Sequence, residues 1–193
     1  MENLLVLIIF LVLALIVLMA VYGMYVSVMK ARNKTQEAFS SIDVQLKKRY
    51  DLIPNILKIA KKFMEHERGL MEEIVSLRSK AMGVSNDLSE SEKKFALDKQ
   101  INAKLGQIMV AVENYPELKS DQTMVQAMNA FQDAEEHIAA ARRFYNSAVL
   151  ELNNKTDIFP TSIIAAMCGV RRQQFFETDE VSRQSIDASN YLN

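Results

Sequence analysis

Few residues in this 193-residue chain have the types and spacing that chemistry requires. Asp133 and His137 stand four apart on one helical face, a spacing that suits a surface metal ion or a simple hydrogen bond. Glu65, His66 and Glu67 are consecutive and fan over about 200° of a helix, too wide for one ion. A di-iron centre needs Glu-x-x-His on each of two helices, but Phe63 and Ala134 occupy the places where His66 and His137 would need a glutamate. Cys168 lies in the apolar stretch 163–170, where a thiol is buried and inert. As the single cysteine it excludes an intramolecular disulfide and a CxxC redox pair. Nucleophile elbow, P-loop and GxGxxG are all missing. The expectation is a chain with no catalytic residues, no metal and no cofactor, hence not an enzyme.

What remains is charge. Residues 30–68 hold ten basic and five acidic residues, whereas 69–193 hold thirteen and eighteen. On a helix Lys47, Lys58, Lys61 and Lys62 gather, with Arg32 and Arg68, within about 60° of one direction. This basic ridge can meet anionic lipid, the acidic Asp133, Glu135 and Glu136 of a later helix, or water. The four lysines are the candidate interaction or membrane-surface residues. Nucleic acid is not expected as a partner: net charge is −1 and no aromatic residues interleave with the basic ones.

The elements that must position these residues are helices. Five Gly, three Pro and no Trp leave too few turn positions for a sandwich, a barrel or a glycine-rich nucleotide fold. Between Leu4 and Val28, 23 of 25 residues are apolar, and no charge occurs from Asn3 to Met29. As a helix that run spans about 38 Å against a hydrocarbon core of about 30 Å. It opens with Glu2, is longer than a signal-peptide core and ends in bulky residues, so it reads as an uncleaved anchor. Lys30, Arg32 and Lys34 follow it, which predicts an outside N-terminus and a cytoplasmic body. Gly23 and Ser27 form a small-xxx-small pair through which two anchors can approach.

Beyond the anchor, apolar residues recur at steps of three and four from Phe39 to Ala81, interrupted only by Glu67 and Arg78. The series predicts one long helix, either kinked at Pro54 or broken briefly and restarted with Pro54 in its first turn, and continuous with the anchor. Ser89 and Glu92 form a capping box for a second helix carrying Leu97, Ile101, Leu105, Ile108 and Val112, which ends before Pro116. Ser120 or Asp121 caps a third, whose inner face includes Val125, Met128, Phe131, Ile138, Ala141, Tyr145, Val149 and Leu152. A short helix over 163–168 stops at Gly169. The predicted architecture is all-α: an N-terminal transmembrane helix (1–29), an antiparallel helical bundle of three long helices and a short fourth (30–176), and a polar, loosely ordered tail (177–193).

The stretch Ile42-Asp43-Val44-Gln45-Leu46-Lys47-Lys48-Arg49-Tyr50-Asp51-Leu52-Ile53-Pro54-Asn55, placed after a single span, resembles the signature of the bacterial LemA family. Glu113 to Lys119, Ile138 to Asn146 and Phe159-Pro160 follow in that family's order and spacing, and the resemblance covers residues 28–177. It departs at Phe39, where the family pattern has tryptophan. The resemblance implies a single-pass protein of the bacterial plasma membrane with an all-helical body and no established reaction. A relative in magnetosome-forming bacteria is implicated in forming intracellular membrane vesicles. Within the motif Arg49, Asp51 and Pro54 are expected to hold the kink to the third helix, with Arg142 and Tyr145 as partners and Asp51 accepting a bond from Arg142. The function expected is a membrane-anchored scaffold that organises the bilayer, meets protein partners or assembles with itself. The alternative is a receptor-like sensor whose bundle binds a small ligand.

Overall fold

Helix α1 runs unbroken from Glu2 to Ala60 in the computed structural model, which describes residues 1–177. At 1.5 Å per residue its 59 residues make a rod of about 88 Å. Residues 2–23 are all exposed, and the most apolar window reaches a mean hydropathy of 3.6, so this part is long and apolar enough to cross a membrane. Cover begins at Met24, and from Val28 the same helix buries Ala31, Thr35, Phe39, Ile42, Leu46, Arg49, Tyr50 and Ile53. The apolar segment thus passes into the bundle without a joint, as the expected continuity of the two helices requires.

Helices α2 (Arg68–Met82), α3 (Ser91–Val112) and α5 (Gln122–Asp157) complete an up-down-up-down bundle with the second half of α1. The direction of α5 is fixed by facing pairs: Lys34 meets Glu151, Thr35 Oγ1 donates to Ala148 O, and Arg49 meets Glu135. Each step along α1 is matched by a step back along α5. Helix α3 runs with α1, since Asp43 meets Lys94 and Arg49 meets Asp98. Two short helices remain: α4 (Pro116–Ser120), which no expectation anticipated, and α6 (Thr161–Met167).

The single helix expected over 39–81 is two. After Ala60 the chain tightens, with Lys62 N bonded to Ile59 O and Phe63 N to Ala60 O. It turns through an exposed corner containing Glu65 and His66 and returns as α2. The apolar spacing survives because both helices direct that face to one core: Leu57, Ala60 and Met64 before the corner, Met71, Ile74 and Ala81 after it. Periodicity reports a face and is silent on direction.

Caps fall close to their expected places. Asp121 accepts from the backbone N–H groups of Thr123 and Met124 at 2.9 and 3.0 Å and starts α5. Before α3, however, the cap is Asp87 rather than Ser89: its carboxylate takes both the Ser89 N–H and hydroxyl, closing a short 3₁₀ turn at Leu88–Glu90. A carboxylate outcompetes a hydroxyl as acceptor. On α5, Met124 and Ala127 are buried in place of the exposed Val125. Gly169, at φ +67°, closes α6: its N–H bonds Ala166 O and that of Val170 bonds Ala165 O.

Four aromatic rings from four elements meet in the core. Phe39 of α1 lies 5.9 Å from Phe95 of α3, Tyr145 of α5 lies 5.4 Å from Phe95, and Phe176 stacks on it at 4.1 Å. Phe39 therefore fills an aromatic core position. Phe176 belongs to an extended strap after α6, held by two asparagines seven apart on α5. Asn153 both donates to Gln173 O and accepts from its N–H, and Asn146 does the same for Phe176, at 2.8–3.1 Å. The two amides replace a neighbouring strand. Asn153→Ala is expected to weaken the fold by about 1–3 kcal/mol and to speed amide exchange at Gln173 more than at α3. Unchanged exchange at Gln173 would refute the pairing. The expected tail lies, beyond Glu177, outside the described residues.

Candidate functional site

Arg49 stands in the 42, 46, 49, 53 series of α1, in phase with the core, and is 1% exposed. Its two terminal nitrogens donate to Asp98 of α3 and Glu135 of α5, and the Tyr50 hydroxyl donates to the same Asp98 oxygen at 2.8 Å. One turn away, buried Lys94 pairs with Asp43 and lies 5.9 Å from the centre of the Phe39 ring. Burial pulls Arg49 towards losing its proton, but the charges of Asp98 and Glu135 outweigh it and hold the cation. Burial, then Asp98, pushes the Tyr50 phenol far above its ordinary range. Near neutral pH Arg49 therefore stays a cation and Tyr50 a neutral phenol, and the arginine between Asp98 and Glu135 clamps three helices.

Pro54 lies inside α1 and has no N–H for the carbonyl of Tyr50, four residues before it. Arg78 supplies the missing donor: its Nε donates to Tyr50 O at 2.6 Å, and its other arm reaches Asp51 at 3.3 Å. The helix tolerates its proline because α2 completes its hydrogen bonding.

The expected partnership between Asp51 and Arg142 is therefore replaced. Asp51 meets Arg78, and the guanidinium of Arg142 covers the ring of Phe176 at 4.7 Å. Register explains why: residue 51 is level with the region of residue 133, and Arg142 stands nine residues, about 14 Å, further along α5. Tyr145 is buried and donates to Gln174 O at 3.1 Å, and burial pushes its phenol up to about 12. Arg142, Tyr145 and Asn146 thus hold the strap rather than the kink.

Lys47, Lys58, Lys61 and Lys62 are exposed, and among the described residues none lies within ion-pairing distance of a carboxylate. Lys58 and Lys61 edge an open groove of about 770 Å³ between α1 and α2, floored by Pro54, Leu57, Met64 and Met71. Of the three acidic residues expected opposite the ridge, Asp133, Glu135 and Glu136, Glu135 is instead engaged by Arg49. Sequence reasoning missed Asp98, Lys94 and Asp43, yet two of them left a signal. Lys94 and Asp98 extend the apolar series 101, 105, 108, 112 backwards in phase, where a charge must be buried and paired.

A model of the LemA family matches residues 38–189. The chain belongs to the LemA family. Among relatives, Protein LemA of Metamycoplasma hominis is 25% identical over 165 residues, covering 86% of this chain and 74% of that protein. Magnetosome protein MamQ 2 of Paramagnetospirillum magneticum is 32% identical over 73 residues, 38% of this chain and 27% of the relative. The match to Magnetosome protein MamQ of Magnetospirillum gryphiswaldense, 31% identical, covers 37% of this chain and 26% of that protein. The LemA family match begins at Ala38, so it takes in the buried Arg49 cluster, the Pro54–Arg78 contact and the strap.

Proposed function

We propose that this LemA-family chain is a non-catalytic scaffold, anchored in the plasma membrane by residues 4–28 with its body in the cytoplasm, acting through contacts with other proteins or further copies of itself. The observation that carries this reading is that α1 is at once the uncovered apolar segment and the spine of the bundle. A rod without a joint holds the bundle at a fixed reach. Along it Lys58 stands thirty residues, about 45 Å, past Val28, whereas lipid charge is felt over about 8–10 Å. That distance favours a protein surface, rather than the bilayer in which α1 is anchored, as the partner of Lys58, Lys61 and Lys62. The fixed charges around Arg49 serve rigidity.

Site-directed crosslinking tests it. With Cys168→Ser in place, a cysteine at Lys58 in native membranes should yield adducts of defined size that a cysteine at exposed Lys119 does not. A chain that stays strictly monomeric in mild detergent and forms no adduct from position 58 would overturn the scaffold reading. Labelling of the position-119 cysteine in intact cells by a membrane-impermeant thiol reagent would overturn the orientation. The groove beside Lys58 favours a second reading, a sensor for a small amphiphilic ligand, which predicts stabilisation by such a compound and its loss on Leu57→Glu.

A further inference from the structure

The corner where α5 turns into α6 shows an apolar surface the bundle does not use. Ile158, Phe159, Ile163 and Met167 are 58%, 75%, 53% and 79% exposed. Singly such residues are ordinary, but four within ten positions at one end of a bundle form a patch.

Its height on α1 identifies what covers it. Glu151 meets Lys34, so Asp157, six residues further along α5, is level with Val28, and Ile158 and Phe159 reach beyond it. Helix α6 then packs back on α1, with Ala165 in one cluster with Val28 and Ala31. Met24, Val26 and Ser27 lose part of their exposure, which independently places neighbouring chain beside the last turn of the apolar segment. The patch thus continues the surface of α1 that faces lipid. Charge agrees: Lys30 and Arg171 are exposed just on the bundle side, and Asp157, the carboxylate at the corner, is neutralised by Arg172 at 2.8 Å.

We infer that the α5–α6 corner is a second membrane contact, inserted among the lipid headgroups of the leaflet from which α1 emerges; the inference rests on the anchor reading above. One helix crossing a bilayer leaves its tilt free. A second contact beside it sets the angle of the whole rod, and with it where the distal lysines point.

The test uses the full chain with Cys168→Ser, reconstituted in vesicles of phosphatidylcholine and phosphatidylglycerol. Single cysteines at Phe159, Met167, Val110 and Phe10 carry an environment-sensitive dye, and nitroxides are attached to the lipids near the headgroups or deep in the chains. Phe159 and Met167 are exposed, so their replacement removes little packing. Dyes at 159 and 167 should lose about half their emission to the shallow nitroxide, as expected for insertion by about 5–10 Å, while the dye at Val110, far along α3, keeps its own. If 159 and 167 behave like 110 while position 10 is quenched by the deep nitroxide, the inference fails and the anchor stands. If position 10 also escapes quenching, the anchor reading fails and takes the inference with it. A blue shift at 159 without nitroxide quenching would mean that protein covers the patch, and would equally overturn it.

Discussion

Replacing Arg49 with methionine should be the most damaging single change in the bundle, lowering stability by about 3–5 kcal/mol. At this chain length that is on the order of 10 °C in melting temperature. The size follows from what is left behind rather than from the bond removed. Asp98 is almost fully buried and would lose its cation, keeping among the described residues the Tyr50 hydroxyl, whereas Glu135 is a third exposed and can turn to water. Arg49→Met combined with Asp98→Asn should therefore recover much of the loss, because the new amide oxygen still accepts from Tyr50 and position 98 no longer holds a carboxylate without its cation. Chemical denaturation of the detergent-solubilised chain, followed by its helical circular dichroism, measures both. A double variant as weak as Arg49→Met alone would mean that Arg49 acts through packing of its stem instead of its charge.

The same residue marks how far the sequence was legible. Membrane-spanning potential, helical class and the caps at Asp121 and Gly169 depend on neighbours in the chain, and local spacing was enough to find them. The reversal at 61–67 was hidden because α1 and α2 present their apolar faces to one core, so the 3–4 series ran through the turn with its phase intact. Partners of buried charges were harder still. Arg49 is 49 residues from Asp98 and 86 from Glu135, and only the register of packed helices brings them together. What the sequence did contain was phase: Arg49, Arg78, Lys94 and Asp98 all fall where apolar residues belong. Reading Arg78 as an interruption, and passing over Lys94 and Asp98, missed the rule that a charge at a core position implies a partner at another.

Arg78→Ala should cost about 1–3 kcal/mol in the natural chain, the range for leaving a partly buried carbonyl without a donor, and much less once Pro54 is replaced by alanine. Alanine at 54 restores the N–H that α1 lacks, and that N–H lies one helical turn from Tyr50 O, where Arg78 Nε now donates. In the Pro54→Ala background Arg78 retains only its contact with Asp51, whose side chain is 55% exposed, and such surface pairs contribute about 0–1 kcal/mol. The two substitutions should therefore be non-additive by about 1 kcal/mol. Asp51→Ala alone should hardly change stability. If the costs add, or if Asp51→Ala matches Arg78→Ala, the arginine serves as an ion-pair partner and the proline is tolerated for another reason. If they do not add, the motif's proline and an arginine 24 residues later form one device: α1 stays a continuous rod through Pro54 because α2 returns to finish its hydrogen bonds. The stiffness that the proposed scaffold requires then depends on the same hairpin that sequence periodicity concealed.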